Sequence, residues 1–428
     1  MFGTRPEAIK MCPLVKELES FDKEIESIVC LSGQHREMLD QVIDVFGTRI
    51  DYDLNIMRPE QTLYTIIADV LVKMEEVLKD ASPDIVLVHG DTSTSFAAAL
   101  AAFYRQIPVG HVEAGLRTSN KYSPFPEEMN RSMTGKIAEF HFAPTELNRK
   151  NLFKENITNN VFVTGNTVID AFKTTVKEGY EFRSEALREI LKHTEGKRII
   201  LMTAHRRENL GAPLENICRA VRRIIKDNVD TALIYPVHMN PAVRAAVYAL
   251  LGSDSEGNAQ SNRKTNTCNT EITNPMSDVN GRDRDSLLEG DSLREGDSLR
   301  EGDSLRGCER TRNRIFLIDP IDVEDMHNLM SKSYMILTDS GGMQEEAPAL
   351  GVPVLVMRTE TERPEAVEAG TVRVVGVDEQ AVYEGARSLI QDKKVYTAMQ
   401  KAVNPYGDGH ASERIVKILL DYFHNLFI

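Results

Sequence analysis

The 428-residue sequence predicts an α/β protein built on two doubly wound parallel β-sheets. Short runs rich in β-branched residues alternate with longer amphipathic stretches along most of the chain. The short runs are almost wholly apolar, as is typical of parallel strands that helices cover on both faces. The length suits two domains better than one. We therefore expect two sheets, each with helices on both sides.

The predicted strands are apolar runs bounded by polar or glycine-containing turns, and the predicted helices lie between them. The strands are Ile25–Leu31, Ile85–Val88, Val109–Val112, Val161–Thr164, Ile199–Thr203, Ala232–Pro236, Ile315–Ile318, Met335–Thr338 and Val354–Met357. The helices are Leu63–Leu78, Ser93–Tyr104, Leu214–Ile225, Val323–Ser331, Gly342–Leu350 and His410–Phe427. Ligands of open α/β sheets bind beyond the carboxyl ends of the strands, so two sheets predict a site in the cleft between them.

A repetitive segment interrupts this alternation between residues 252 and 313. It contains no aromatic residue, and four hexads that begin Asp-Ser-Leu start at Asp285, Asp291, Asp297 and Asp303. A six-residue period also occurs in β-helices, but four hexads with one or two leucines each cannot bury a core. The composition therefore predicts a disordered insertion.

The alternation and the insertion together define two predicted domains. The first comprises residues 1–166 and a returning C-terminal helix within 406–428. The second comprises residues 167–405 and carries the insertion.

The composition excludes several classes of protein. The 65 acidic and 51 basic residues give a net charge of −14 with no basic block, so we expect no nucleic-acid partner. No apolar run reaches the roughly 18 residues of a membrane span, so we expect no membrane partner. The five cysteines are scattered without a CxxC pair, which predicts reduced thiols, no metal site and a cytoplasmic location.

Three carboxylates follow consecutive elements of the first predicted sheet. Asp91 follows the strand in VLVHGDTST, Glu113 follows the strand in HVEAG, and Glu127 begins a helix after SPFP. A single carboxylate in such a place is most often a helix cap or a salt-bridge partner. Three at one sheet edge favour proton transfer, because carboxylates held close together and away from water have displaced pKa values.

The second predicted sheet ends in groups that suit an anion. His205 and Arg206 directly follow a strand. The turn Ser340-Gly341-Gly342 joins a strand to a helix, where bare glycines let backbone N–H groups approach a phosphate. A plain helix entry is the alternative, since the turn is neither a P-loop nor a GxGxxG motif.

Four further residues can face the same cleft. Glu346 lies one turn into the helix after the glycines and can reach a ribose hydroxyl, and Arg363 follows the next strand. Arg5 and Lys10 lie on a predicted first helix with proline at its start. A solvated basic face is the alternative for Arg5 and Lys10.

Together these motifs resemble those of the non-hydrolysing UDP-N-acetylglucosamine 2-epimerases. The resemblance rests on FGTRPEAIK at 2–10, VHGDTSTS at 88–95, SPFPEEMNR at 123–131, TAHRRENLG at 203–211 and LTDSGGMQEEAP at 337–348, in the family's order. It implies two Rossmann-like domains in a glycosyltransferase-B-like arrangement, with a nucleotide sugar in the interdomain cleft. It also implies reversible conversion of UDP-GlcNAc to UDP-ManNAc through 2-acetamidoglucal, with no cofactor, supplying ManNAc-derived sugars for cell-surface polysaccharide.

The resemblance also implies roles for the candidate residues. The implied catalytic residues are Asp91, Glu113, Glu127 and His205. The implied UDP- and substrate-binding residues are Arg5, Lys10, Ser340, Gly341, Gly342, Glu346 and Arg363. Gln34, His35, Arg206 and His238 match a second, activating UDP-GlcNAc site of some relatives. We expect a homodimer, and the resemblance leaves open which carboxylate is the base and which is the acid.

The start of the chain departs from the family it resembles. In that family a strand of several apolar residues precedes FGTRPE, whereas Met1 directly precedes this motif here. We therefore expect the first strand of the first sheet to be missing or nearly so, which would lower the stability of that domain. Two alternatives to an active epimerase stay open. One is a hydrolysing 2-epimerase that releases ManNAc and UDP, or an epimerase of a modified UDP-HexNAc, and the other is an inactive nucleotide-sugar-binding remnant.

Overall fold

The computed structural model describes residues 1–33, 36–58, 60–252 and 314–426. The predicted insertion after Gly252, with its hexads, and the predicted activator residues Gln34 and His35 lie outside the described residues. Among the described residues, no helix is both long and apolar enough to cross a membrane.

The strands are β1 Cys30–Leu31, β2 Tyr52–Asp53, β3 Val86–His89, β4 Val109–Val112, β5 Phe140–Ala143, β6 Val161–Val163, β7 Arg198–Thr203, β8 Thr231–Pro236, β9 Ile315–Ile318, β10 Met335–Thr338, β11 Val354–Val356 and β12 Val372–Val374. The α-helices are α1 Arg5–Glu19, α2 Arg36–Phe46, α3 Leu63–Ala81, α4 Ser93–Tyr104, α5 Glu127–Ile137, α6 Glu146–Lys154, α7 Thr167–Asp170, α8 Phe172–Thr175, α9 Glu185–His193, α10 Ala212–Asp227, α11 Pro241–Leu251, α12 Val323–Lys332, α13 Gly341–Ala349, α14 Pro364–Glu368, α15 Glu379–Gln391, α16 Lys393–Gln400 and α17 Ala411–Leu426.

The second half of the chain forms one six-stranded parallel sheet in the order β12-β11-β10-β7-β8-β9. In its centre, Ile200 pairs with Met335 and Leu201 pairs with Ile336, and all four side chains are fully buried. Successive residues of a strand face opposite sides, so Ile200 and Met335 enter one core while Leu201 and Ile336 enter the other. The predicted doubly wound second sheet is therefore confirmed.

The first half of the chain forms a four-stranded parallel sheet, β3-β4-β5-β6, and a separate parallel pair, β1-β2. Phe2 forms an isolated parallel bridge with Leu31, and its N–H donates to the carbonyl of Cys30 at 3.3 Å.

A gap separates β1 from β3 at the amino-terminal ends of both strands. An apolar cavity of about 360 Å3 occupies this strand gap, and the ammonium group of Met1 lies at its end, where it donates to Leu87 O at 3.0 Å. The apolar side chains that line the gap come from α1, α3, α17 and the segments before β1 and β3, and include Met11, Leu14, Val15, Met74, Val77, Leu78, Leu419, Leu420 and Phe423. The predicted strand Ile25–Leu31 is correspondingly reduced to Cys30–Leu31. Residues 25–29 border the gap, so on that side no described strand offers them hydrogen-bond partners.

Most other predicted elements have bounds within three residues of the observed ones, and β4, β9, β10 and α4 have the predicted bounds. The sequence pattern missed β2, β5 and β12. Each of these strands has two to four residues and includes a polar one, such as His141 in β5 or Arg373 in β12, so the local apolar signal is weak.

The chain crosses between the two halves at two adjacent points. The N–H of Asn166 donates to Tyr406 O at 2.7 Å, and a Cβ atom at Gly407 would lie 3.2 Å from the Cα of Gly165. After the second crossing, α17 packs on the first half, where Ile415, Val416 and Leu419 join the core that contains Phe2. The domain bounds at residues 166 and 406 stay a proposal, which this double crossing supports.

Candidate active site

Asp91 lies in the turn that joins β3 to α4. Gly90 makes this turn with a φ of 61°, a conformation that favours glycine. The Asp91 carboxylate pairs with Arg131 at 2.6 Å, and the backbone carbonyl of Asp91 accepts from Asn130 Nδ2 at 3.0 Å. Partial burial raises the pKa of Asp91, Arg131 opposes the rise, and the nearby carboxylates of Glu113 and Glu127 add to it.

Glu113 directly follows β4 and has a φ of 64°, an uncommon conformation for a residue other than glycine and one often found at functional sites. Its Oε2 atom pairs with Lys10 Nζ, accepts from Asn166 Nδ2 at 3.0 Å and lies 3.5 Å from His89 Nε2. Burial alone would raise the pKa of Glu113, but Lys10 and His89 outweigh it and hold that pKa well below its ordinary value. Glu113 is therefore a carboxylate kept ionised inside the cleft.

Glu127 is the first residue of α5 and lies near enough to Asp91 to raise its pKa. The next residue, Glu128, is buried and serves the local structure, because its carboxylate accepts from the N–H groups of Thr118 and Ser119 at 3.1 Å. The structure thus brings Asp91, Glu113 and Glu127 to one edge, as the sequence predicts. The structure also gives Glu127 and Glu128 different roles, because only Glu127 belongs to this edge.

The loop after β7 carries His205 and is held by Asp339. The buried Asp339 carboxylate accepts from the N–H groups of His205 at 2.8 Å and Arg206 at 2.9 Å, and from Asn209 Nδ2 at 3.0 Å. The ring of His205 stacks on that of His238, with 5.2 Å between the ring centroids. Burial lowers the pKa of His205, and Asp339 partly opposes this, so the ring stays neutral near pH 7 and can donate or accept a hydrogen bond.

The glycine turn after β10 is surrounded by cations. Ser340 precedes α13, and no capping hydrogen bond from its side chain occupies the helix N-terminus. A Cβ atom at Gly341 would lie 3.4 Å from Arg363 Cζ and 3.6 Å from an Arg206 guanidinium nitrogen. A Cβ atom at Gly342 would lie 2.9 Å from Glu346 Oε1. Bare backbone N–H groups, the helix N-terminus and two guanidinium groups together make a turn that can hold an anion.

Arg206 therefore lies at the predicted diphosphate site. The family resemblance instead implies that Arg206 belongs, with Gln34, His35 and His238, to a separate activating site. Its position beside Gly341 and Arg363 puts it within reach of whatever the glycine turn binds. Sequence reasoning could not relate the β7 loop to the β10 loop, because 133 residues separate Arg206 from Asp339, to which it donates.

Glu345 joins the two walls of the cleft and was missed by sequence reasoning. Its Oε1 atom accepts from Arg363 Nε at 2.7 Å, and its Oε2 atom accepts from Asn166 Nδ2 at 2.9 Å and lies 3.9 Å from Lys10 Nζ. Burial raises the pKa of Glu345, although Arg363 and Lys10 oppose the rise. The adjacent pair Glu345-Glu346 was visible in the sequence, but their different orientations were not.

Glu346 lies next to groups from both halves of the chain. Its Oε2 atom is 3.7 Å from Nε2 of the buried His327, and its charge raises the pKa of Arg5, which burial otherwise lowers. His327 Nδ1 in turn bonds to Thr175 Oγ1 at 2.8 Å. Arg5, Lys10, Glu346 and Arg363 thus all face the cleft, as the sequence predicts. Within the described part of the chain, no group of three or more His, Cys, Asp or Glu side chains is arranged to hold a metal ion.

The facing parallel sheets define an α/β enzyme of the glycosyltransferase-B-like class, with carboxylates on one wall of the cleft and, on the other, a turn that can hold an anion. A glycosyltransferase of Streptomyces nogalater has a TM-score of 0.52 at 13% identity, which shows the shared fold alone.

Comparison with known proteins gives the family. The family model described as UDP-N-acetylglucosamine 2-epimerase matches residues 16–277 and 295–420. The UDP-N-acetylglucosamine 2-epimerase of Bacillus subtilis is 49% identical over 424 residues, which cover 99% of this chain and 94% of that protein. The protein of the same name from Escherichia coli is 45% identical, and the match covers 98% of this chain and 97% of that protein. A crystal structure of the Neisseria meningitidis UDP-GlcNAc 2-epimerase bound to UDP-GlcNAc has a TM-score of 0.77 at 42% identity, covering 98% of each chain. The chain belongs to the UDP-N-acetylglucosamine 2-epimerase family.

Proposed function

We propose that this protein interconverts UDP-GlcNAc and UDP-ManNAc by reversible epimerisation at C2 of the sugar. The observation that carries the proposal is the cleft itself, where a buried ion network joins Glu113 through Lys10 and Glu345 to Arg363, which lies beside the Gly341 turn. The relatives' names and the UDP-GlcNAc in the Neisseria meningitidis structure support the choice of substrate.

The proposed reaction proceeds by elimination and re-addition. A base removes the C2 proton while the bond between C1 and the diphosphate oxygen breaks, which leaves 2-acetamidoglucal and UDP in the cleft. UDP then adds back to C1 while an acid delivers a proton to the opposite face of C2. No electrons are gained or lost overall, so the reaction needs no oxidant or reductant.

The nucleotide would bind to the second sheet. Backbone N–H groups at Ser340, Gly341 and Gly342 would hold the diphosphate, because a helix N-terminus favours negative charge. Arg363 and Arg206, both beside Gly341, would stabilise the charge that develops on the departing diphosphate. Arg5 and Lys10 would also lie near the diphosphate, and Glu346 would bind the ribose hydroxyls.

The sugar chemistry would belong to the first sheet, with Glu113 as the base and Asp91 as the acid. Surroundings that move two carboxyl pKa values in opposite directions favour separate roles for the two groups. Lys10 and His89 keep Glu113 ionised, while partial burial and neighbouring carboxylates raise the pKa of Asp91. Glu127 and the neutral His205 would assist the proton transfers.

Three wider expectations remain predictions. The product would supply ManNAc-derived sugars for cell-surface polysaccharide, the protein would act in the cytoplasm, and it would form a homodimer. A role for His238 in activation by a second UDP-GlcNAc also remains a prediction, with Gln34 and His35 outside the described residues.

The test is to incubate the full chain with UDP-GlcNAc in heavy water and to resolve the products. We expect UDP-ManNAc to appear, and deuterium to enter C2 of both nucleotide sugars. Release of free ManNAc and UDP would instead identify a hydrolysing enzyme. Binding of UDP without deuterium uptake would identify an inactive remnant, and either outcome would overturn the proposal.

A further inference from the structure

Asn166 lies at the first crossing between the two halves of the chain, and its side chain is held in one orientation. Its Oδ1 atom accepts from the N–H of Val168 at 3.0 Å and so caps α7, while its own N–H donates to Tyr406 O. The residue is only 3% exposed. Because Oδ1 is committed to the helix cap, the Nδ2 amino group must point the other way, into the cleft.

The Nδ2 group donates to one carboxylate from each half of the chain. The acceptors are Glu113 Oε2 at 3.0 Å and Glu345 Oε2 at 2.9 Å. Glu113 follows a strand of the first sheet, and Glu345 lies in α13, which follows a strand of the second. A single neutral side chain therefore bridges the candidate base to the opposite wall.

The charges around this bridge account for an amide rather than an ion at position 166. Lys10 pairs with Glu113, and Arg363 pairs with both Glu345 and Glu362, so the cations at this bridge already have carboxylate partners. A third buried carboxylate or cation between them would lack a partner, which is costly in a dry site. A neutral amide instead uses its two N–H donors to satisfy both carboxylates.

We propose that Asn166 is a positioning residue that sets the orientation of Glu113 relative to the second half of the chain. The inference rests on the proposed function, because it assigns Glu113 the role of base. With its backbone in the left-handed region, Glu113 depends on Lys10 and Asn166 to aim its carboxylate. Asn166 also bonds to Glu345. The orientation of the Glu113 carboxylate therefore depends on the position of the nucleotide-binding half.

A helix cap is the competing role, and one substitution separates the two. Serine caps helices about as well as asparagine, but its hydroxyl is too short to reach both carboxylates. Asn166→Ser should keep the cap of α7 and leave the affinity for UDP close to that of the unaltered chain, with a lower melting temperature because a buried carboxylate loses its donor. It should lower kcat for deuterium exchange at C2 about 100-fold, because a displaced reacting group can cost that much.

The chain offers a matched control in Asn240, which caps α11 through its Oδ1 atom by accepting from the N–H of Ala242 at 2.9 Å. Asn240→Ser makes the same change at another helix cap and should exchange deuterium at the unaltered rate. If Asn166→Ser bound UDP and exchanged at the unaltered rate, the positioning role would be overturned while the proposed function stood. Absence of exchange in the unaltered chain would overturn both.

A second variant keeps the inference testable if serine destabilises the fold. Asn166→Asp retains the cap and the side-chain length, but puts a carboxyl group among Glu113, Glu345, Lys10, Arg363 and the nearby His89. When protonated, this group can donate one hydrogen bond, and when ionised it can donate none. We expect the deficit in exchange to shrink as the pH falls from about 8 to about 6. A deficit that stays constant with pH would contradict the positioning role.

Discussion

The two halves of the molecule differ in the continuity of their β-sheets and in the charged groups at their cleft edges. The second half has an uninterrupted six-stranded sheet whose cleft edge carries the glycine turn and two arginines. The first half has a sheet that the strand gap divides, and its cleft edge carries carboxylates. The gap lies at the amino-terminal ends of β1 and β3, whereas Asp91 and Glu113 lie at the carboxyl ends of β3 and β4. The strand gap and the candidate catalytic residues therefore lie at opposite ends of the first sheet.

At the carboxyl ends of the strands, where the candidate site lies, hydrogen bonds connect the two parts of the divided sheet. The N–H of Ser32 donates to Phe2 O at 3.1 Å, and Ser32 Oγ lies 3.0 Å from Thr94 Oγ1. The buried Glu7 joins the start of α1 to the start of α4, since its carboxylate accepts from the N–H of Thr4 at 2.8 Å and from Thr92 Oγ1 at 2.7 Å. We therefore expect damage to the two halves, and to the two ends of the first sheet, to have different consequences.

The largest effect should follow from Asp91→Asn. The change preserves size and an acceptor for Arg131 but removes a group that can transfer a proton. Exchange at C2 should fall about 10³-fold, while UDP binding stays nearly unchanged because Asp91 is not among the proposed contacts of UDP.

Asp69→Asn is the matched control for this prediction. Asp69 pairs with Arg58 at 2.7 Å, much as Asp91 pairs with Arg131, but on α3, away from the cleft. It should exchange at the unaltered rate. Full exchange activity in Asp91→Asn would mean that the chemistry does not depend on this edge of the first sheet.

The next effect concerns the strand gap and should change stability alone. Adding four β-branched residues before Met1 would place about 13 Å of extended chain between β1 and β3. Burial of two or more apolar side chains, less the cost of ordering the backbone, should stabilise the protein by about 2 kcal/mol. The melting temperature should rise by roughly 4–8 °C, with no change in the exchange rate.

A four-residue extension of glycine and serine serves as the control for the apolar one. It adds the same backbone length without apolar side chains, so it should leave the melting temperature nearly unchanged. Equal melting temperatures for the two extended chains would mean that the gap does not accept a strand. A change in exchange rate with the apolar extension would mean that the strand gap affects the catalytic residues.

A smaller effect should follow from Arg206→Met, which removes one cation beside Gly341 but keeps much of the side-chain volume. The Kd for UDP should rise about tenfold, the effect of losing one charge-assisted contact. The neighbouring Arg207→Met is the control, because Arg207 is exposed and should leave the Kd unchanged. If Arg206→Met bound UDP normally but lost activation by UDP-GlcNAc, Arg206 would belong to a separate activating site, as the sequence alone indicated.

The sequence predicted the site residues that directly follow a strand, and it missed contacts between residues that are far apart in the chain. Asp91 and Glu113 follow apolar strands, so their place at the cleft edge could be read directly from the pattern. The partnership of Asn166 with Glu345 joins residues 179 positions apart, and nothing local signals it. The same limit explains the error at Ile25–Leu31, where an apolar run indicates a strand but cannot show whether a neighbour exists to pair with it.

The smallest predicted effect is a pH dependence of stability that arises at the end of the strand gap. Burial lowers the pKa of the Met1 ammonium group below its ordinary value of 8.0, so between those two values the unfolded chain binds more protons than the folded one. The contribution of this amine to stability should therefore rise with pH until about pH 8 and stay constant above it. Burial also lowers the pKa of His111 to about 3 and that of His141 to about 4, but the rise they cause is complete near 6.5, the ordinary value for histidine. Either extension before Met1 replaces the ammonium group with an amide, so both extended chains should lose the part of the rise that ends near pH 8. A rise that persists in both would place the responsible group elsewhere and leave the buried amine without a role in stability.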